Sequence, residues 1–551
     1  MTRPATASHR WAHALARWFD ANILELGREM RLSYLPPLMV YVAAGISGLT
    51  GIVGTFFVKE YLGLSAEFLA ALGFWAGLPW ALKMPVGHLV DLMWRYKAGL
   101  IYLGALLLAA SLFIMIGLLA ERAAMAAVLP VETWFVISAL LGPVGYVLQD
   151  VVADAMTVEA VPRVDERGQP LPEDQRRLMN TTVQTLGRVA IIGGSVLVSL
   201  VNVVMFAGAA ALPEAEKVAI YTRVYELALV IPVVSVAGVV LARWVWRREL
   251  GRLKASGVAH DDALRLLAAQ PEPPPVNWWI LGGGLLFAVV SVGLGVANIP
   301  AAQEIVFALS MAIIVFLIVK LTGELTPEAR HTLIGTAIVV FVFRALPGPG
   351  AGSTWWMIDV LGFDQQFLAT LSLIASVLTL AGLFLFRRYM GDHSITHIVA
   401  MLTVVGTVLA LPTVGMYYGL HEWTAARTGG VVDARFIAIV DTALESPLGQ
   451  IAMVPMLAWI ARSAPERLKA TYFAVMASFT NLALSASQLG TKYLNQWFTV
   501  TREVKDPLTG VVSVPADYSQ LGHLLITTTT LGFVLPFVAI AFIRLSRFRS
   551  A

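Results

Sequence analysis

The 551-residue chain contains no cysteine. That absence excludes disulfides, thiolate metal sites and cysteine nucleophiles, and leaves the redox compartment open. Charge is also scarce: Asp, Glu, Lys and Arg make up 14% of the residues and apolar types 58%, against about a quarter charged in an ordinary soluble domain. A water-soluble fold of this composition would lack polar surface. The net charge is only +3, with the basic residues dispersed among loops, which argues against nucleic acid as a partner. No glycine-rich phosphate loop, metal-ligand spacing or nucleophile motif occurs, so neither ATP-driven pumping nor hydrolysis is encoded, and no cofactor is expected. The first 33 residues lack the apolar core and small-residue cleavage site of a signal peptide. Trp11, Leu15, Trp18, Phe19, Ile23 and Leu26 instead recur at helical spacing among Arg10, Arg17 and Arg28. That pattern fits a helix lying in the membrane interface or an ordered cytosolic tail.

What the chain has is long apolar runs. Blocks of about 20 residues, such as Ala98 to Leu119, match the thickness of a hydrocarbon core. Reading runs between polar punctuation predicts about fourteen spans: 34–57, 66–91, 98–119, 132–158, 178–204, 220–242, 277–298, 303–320, 332–355, 366–386, 395–418, 434–460, 469–496 and 521–544. With both termini in the cytoplasm, about 27 of the 39 Lys and Arg residues fall in cytosolic segments and about 7 outside, the asymmetry that sets orientation. The expected fold is therefore an all-α polytopic membrane protein in the cell (inner) membrane.

The basic segment 243–276 closes in Pro271-Glu272-Pro273-Pro274-Pro275 and reads as a connector between six helices and eight. Secondary transporters are commonly two six-helix halves rocking about a midplane site. The division expected is an interfacial segment 1–33, a bundle 34–242, the linker, an extra hairpin 277–320, a bundle 332–544 and a basic tail 545–551. The run Pro347-Gly348-Pro349-Gly350 must break or kink the ninth span.

Ionisable groups at membrane depth cost from about 2.5 kcal/mol upward, so each needs a partner or water. At 1.5 Å per residue, Lys83, Asp150 and Arg188 lie at one depth, very roughly 12–15 Å from the cytosolic face. Asp150 and Asp154 stand four apart and share a helical face. One reading is that Asp150 pairs with Lys83 or Arg188 until a proton or an anionic solute competes; the other is a static salt bridge that fixes the packing. In the second half Arg344 and Glu445 share a depth, with Asp441 one turn from Glu445. The Arg344 fork suits a carboxylate, or pairs with Glu445. Trp80, Gln149, Gln184, Asn481 and Gln488 are candidates for lining a cavity. Trp355 and Trp356 fit an interfacial belt, and Lys492 an anchor near the outer face. His88, at a helix end, is expected to be incidental.

The turn Gly87-His88-Leu89-Val90-Asp91-Leu92-Met93-Trp94-Arg95-Tyr96-Lys97 resembles the G-x-L-x-D-x-x-G-R-x-K loop of the major facilitator superfamily. Gly87 is expected to permit close helix contact, Asp91 to face a partner helix, and Arg95 and Lys97 to hold this gating loop in the cytosol. Trp94 stands where that pattern has its second glycine. Four further segments sharpen the resemblance: Leu78-Pro79-Trp80-Ala81-Leu82-Lys83, Gln149-Asp150-Val151-Val152-Ala153-Asp154-Ala155, Val360-Leu361-Gly362-Phe363, and Met453-Val454-Pro455-Met456-Leu457-Ala458. Together they look like the folate-biopterin transporter family. That resemblance implies a twelve-helix major-facilitator core and proton-coupled symport of folates or pterins by alternating access. The muropeptide permeases share part of the pattern, and some proteins of this fold serve as membrane assembly factors with a protein partner, so both alternatives stand beside the first.

Overall fold

A computed structural model describes residues 25–162, 164, 169, 171–267, 275–297, 299–322, 326–386, 389, 393–449, 469–505, 512–546 and 548. Most of the expected interfacial segment, the proline run of the linker and the Met453–Ala458 motif lie outside these residues. Among the described residues, eleven helices are long and apolar enough to cross a membrane.

The first span, Leu32–Tyr61, consists of α1 (Leu35–Gly45) and α2 (Gly51–Tyr61) joined by a 3-10 turn. There follow α3 (Ala66–Ala81), α4 (Lys83–Leu92), α5 (Ala98–Ala120), α6 (Val131–Ala160), α7 (Glu173–Met205), α8 (Glu214–Ala228) and α9 (Val230–Ala255). The hairpin expected as an extra pair is formed by α10 (Trp278–Ala297) and α11 (Ala302–Thr322). The second set comprises α12 (Pro327–Arg344), α13 (Ala351–Asp359), α14 (Gln365–Leu385), α15 (Ile395–Tyr417), α16 (Ala434–Glu445), α17 (Lys469–Trp497) and α18 (Leu521–Leu545).

Three expected spans fall short of a continuous apolar crossing, each for a visible reason. The ninth is broken between Arg344 and Ala351, where Pro347 and Pro349 supply no N–H and Gly350 takes φ 75°. The twelfth gives way after Glu445 to a 3-10 turn, Ser446–Leu448, with its remainder outside the described residues. The thirteenth, α17, is a continuous helix but carries Thr480, Asn481, Gln488, Thr491 and Lys492. Two other boundaries move. α9 runs on to Ala255, through the basic stretch assigned to the linker, and a short helix, His260–Leu267, follows it. Between α17 and α18 the chain forms an unanticipated two-stranded ribbon, β1 (Val504–Lys505) and β2 (Val512–Val514), antiparallel with Val504 opposite Val514.

Close helix packing rests on glycine at a few positions. A Cβ on Gly104 would lie 2.6 Å from the Gly145 carbonyl oxygen, and one on Gly145 equally close to that of Gly104, so α5 and α6 meet backbone to backbone. Gly194 of α7 abuts Gly45 of α1 in the same way. Gly87 does not play this part: a Cβ there would meet Val151 only at 3.9 Å, an ordinary contact.

The seam between α3 and α17 joins the two sets. Gly73 receives the Gln488 amide, Gly77 lies against Ser485, and Asn481 donates to the Trp80 carbonyl at 3.5 Å. The extra hairpin covers this seam from end to end. On one side Gly284 abuts Pro85, Gly295 faces the Trp75 ring, and Gln303 donates to the Ala71 carbonyl at 3.0 Å. On the other, Glu304 accepts from Lys492 at 3.1 Å and from the Tyr493 hydroxyl. Lys492 is therefore an ion-pair partner of the hairpin rather than a snorkelling anchor. Trp278, Trp279, Leu285, Leu286, Val289 and Val292 keep the opposite face of α10 exposed and apolar.

Candidate functional site

Pro79 interrupts the N–H ladder of α3, and the helix breaks at Leu82 before resuming as α4 with Lys83 in its first turn. A cation is unfavourable at a helix N-terminus, and here two carboxylates offset it. Lys83 Nζ lies 2.6 Å from Asp150 Oδ2 and 2.8 Å from Asp154 Oδ2. The four-residue spacing on α6 presents both acids to one ammonium. The Tyr41 hydroxyl of α1 donates to the remaining Asp154 oxygen, Oδ1, at 2.7 Å. Gly187 of α7 makes room for that ring, since a Cβ there would sit 2.9 Å from its edge. Asp154 keeps 43% side-chain exposure while Asp150 keeps 18% and Lys83 21%, so the cluster borders open space on the Asp154 side.

Arg188 stands close enough to act electrostatically on Asp150 and Tyr41, yet it bonds to neither. One ammonium, that of Lys83, thus serves both carboxylates, and Arg188 keeps its donors uncommitted among the described residues. Gln184 is exposed and donates to Thr157 Oγ1 at 3.2 Å, and Thr157 in turn bonds the Asp154 carbonyl at 2.6 Å. Gln149 does not line the cavity: it is 3% exposed and packs against Gly104 on the α5 side of the helix.

The expected second cluster is not assembled. Arg344 Nε donates to the Thr480 carbonyl at 3.1 Å, and neither Asp441 nor Glu445 pairs with it. Glu445 is exposed, while Asp441 Oδ1 is buried without a partner among the described residues. Equal depth on two helices fixes height but not the direction in which a side chain turns. The Arg344 terminal nitrogens have no partner among the described residues, and the Thr480 they lie beside is next to Asn481, which reaches Trp80.

In the expected gating loop, Lys97 pairs with Glu159 at 2.5 Å and rides 4.3 Å over the Trp94 ring. Trp94 therefore takes a role that glycine could not. Arg95 is exposed, and Asp91 makes no ion pair among the described residues. His88 is not incidental, because its Nε2 accepts from the Asn277 backbone at 2.9 Å and ties the loop to the start of α10.

The end of the bundle that the charge distribution predicts to face outward holds a second group of charges. Arg502, in the loop after α17, is 2% exposed. Burial lowers its pKa to about 10, so it remains charged near neutrality. Lys59 and Asp359 pair at 2.5 Å, and Tyr518 donates to Asp359 at 2.6 Å. Trp355 and Trp356 are 2% and 3% exposed, inside the protein rather than in an interfacial belt. Trp355, Thr354 and Gly350 share a cavity of about 390 Å³ with Gly54, Thr55, Val58 and Phe135. Gln365 also donates to the Tyr221 hydroxyl at 2.7 Å, and Gln496 to Glu67 at 2.6 Å. Hydrogen bonds and ion pairs joining the two sets, between described residues, thus lie at this end and at mid-depth.

Arg502 and Tyr41 were invisible to the sequence reading. A loop arginine looks like a solvated charge, and a tyrosine within an apolar run looks like packing. Gly187 beside Arg188 in a span was the one available hint.

These features define a multi-pass helical membrane protein with the fold of major-facilitator-type transporters. The structure superposes on a POT family transporter in complex with 5-aminolevulinic acid with a TM-score of 0.58 at 12% identity, covering 93% of this chain and 95% of that one. For the nucleoside transporter NupG the values are 0.52 and 11%, with 93% and 99% covered. The chain belongs to the BT1 family, whose model matches residues 44–546. Among curated proteins it is 28% identical to the folate-biopterin transporter of Synechocystis sp. (strain ATCC 27184 / PCC 6803 / Kazusa) over 185 residues, 34% of this chain and 36% of that protein. It is 23% identical to putative folate transporter 2 of Plasmodium berghei (strain Anka) over 167 residues, 29% and 34% of the two chains. The chain thus aligns with about a third of the length of either relative.

Proposed function

We propose that this protein is a secondary active transporter that carries a small anionic or aromatic solute, such as a folate or pterin, by alternating access, coupled to protons. The observation that carries the reading is Lys83 held between Asp150 and Asp154, beside a helix seam that joins two bundles. The names of the two curated relatives supply the solute class.

The halves are taken as 34–242 and 332–544, joined through the 243–276 linker, with both termini cytoplasmic in the inner membrane. Protonation of one aspartate loosens its hold on Lys83 and frees the ammonium for a solute anion. Arg188 is a second cation near this cluster, with its donors uncommitted among the described residues. Arg344 offers its terminal nitrogens from the other half, so a solute bound to both would draw the halves together. Cross-half bonds at the outward end and at mid-depth support a carrier closed outside and loaded or emptied from within.

Uptake of radiolabelled folate, pterin and muropeptide by cells expressing the protein tests the reading, with Asp150→Asn at matched expression. Folate or pterin uptake that Asp150→Asn reduces and renders insensitive to pH is expected. Unchanged uptake and unchanged pH dependence would remove Asp150 from the mechanism. Binding of none of the three solutes, together with a stable protein partner, would favour an assembly factor.

A further inference from the structure

The C-terminal end of α2 leaves carbonyl groups without intrahelical donors, and its dipole makes that end negative. Arg502, from the opposite half, fills this position. Its Nε donates to the Lys59 carbonyl at 2.7 Å, Nη1 to Leu64 at 2.8 Å, and Nη2 to Val58 at 2.8 Å and also to Leu62. Its guanidinium lies 4.2 Å from the Trp355 ring centroid, a cation–π contact strengthened by desolvation. Val58 and Trp355 both line the cavity between the halves, so Arg502 sits on the outward side of that space. All four acceptors belong to the 58–64 turn of the first half, and Trp355 belongs to the second. The Lys59 pair with Asp359 crosses the same gap.

We propose that Arg502 is the outer latch of this protein: with Trp355 it plugs the outward end of the inter-half cavity, and it must leave the 58–64 carbonyls for that cavity to open outward. The role in transport rests on the carrier reading, but the latch is a property of the closed structure and is measurable without any solute. Lysine can replace it only in part, because a single ammonium does not span carbonyls set in a fork.

The chain has no native thiol, so Thr354→Cys, on the cavity wall, places the only one behind the latch. A membrane-impermeant maleimide is applied to intact cells. Slow labelling is expected with Arg502 present, and labelling roughly tenfold faster or more with Arg502→Ala, because charge-assisted hydrogen bonds are each worth about 1.5–3 kcal/mol. Arg502→Lys should fall between the two. Equal labelling rates in the Arg502 and Arg502→Ala backgrounds, with both proteins folded by thermal melt, overturn the proposal. If Arg502→Ala does not fold, Asp359→Asn weakens the adjoining Lys59 contact without stranding a guanidinium. It should also speed labelling, and an unchanged rate there overturns the proposal as well. Loss of the carrier reading would appear separately, as absent solute uptake with labelling still governed by Arg502.

Discussion

Tyr41 and Asp154 are 113 residues apart in sequence, yet the phenol donates to the carboxylate at 2.7 Å. The bond fixes Asp154 on the side of Lys83 and leaves Asp150, one turn away, to share the same ammonium. Tyr41→Phe keeps the ring against Gly187 and removes only the hydroxyl. A hydrogen bond to a charged group contributes about 1.5–3 kcal/mol. Tyr41→Phe should therefore shift the pH profile of uptake and reduce its rate about tenfold, with a thermal midpoint lowered by only a few degrees. An unaltered pH profile would make Tyr41 a packing residue.

Lys83→Met leaves two carboxylates at membrane depth without their shared cation, with the Tyr41 hydroxyl still on Asp154. Removing one member of a buried pair typically costs about 3–5 kcal/mol. The variant should be strongly destabilised at neutral pH and regain stability as pH falls, since protonation discharges the stranded acids. Melting in detergent across a pH series measures this. A loss of stability that is the same at every pH would contradict the shared-cation arrangement.

Gly194 contacts Gly45 backbone to backbone, and that contact brings α7 against α1 beneath Tyr41. Gly194→Val should cost about 1–3 kcal/mol through overpacking, seen as a lower melting temperature. Gly193 has nothing within 4 Å of its would-be Cβ, so Gly193→Ala should leave the midpoint nearly unchanged.

Ala301, in the turn between α10 and α11, has φ 60°, a left-handed conformation that costs an L-residue about 1–2 kcal/mol. Ala301→Gly relieves that strain but adds freedom to the unfolded chain. A net stabilisation of up to about 1 kcal/mol is expected. A lower melting temperature would show that the turn is held by something other than its backbone conformation.

The parts of the molecule legible in the sequence are those that depend on one coordinate. Apolar run length marks a span, Pro347 to Gly350 mark a break, and the spacing of Asp150 and Asp154 marks a shared face. Depth along the helix axis brought Lys83 to them correctly. The same reasoning joined Arg344 with Glu445, where it failed, because rotation about each axis and the tilt between helices come from packing that a depth count does not contain. Gly87 misled for a related reason: a glycine permits close approach, but Gly104, Gly145, Gly45 and Gly194 are the ones that meet another backbone. Trp355 looked like a belt residue because it stands at the end of the expected span 332–355. The break in fact turns it inward, under Arg502.

The hairpin of α10 and α11 covers the α3–α17 seam along the side that would otherwise meet acyl chains. Ser478 faces a crevice against α10 and α11 at 1% exposure, and Gln303, Glu304 and Lys492 also lie on this side. Hydrocarbon would select against every one of these groups. By substituting a protein boundary for a lipid one, these two helices release the seam from the demand for oil solubility. Relatives that keep the hairpin should therefore vary among polar residues at these positions, and relatives without it should be aliphatic at the positions equivalent to 478 and 492.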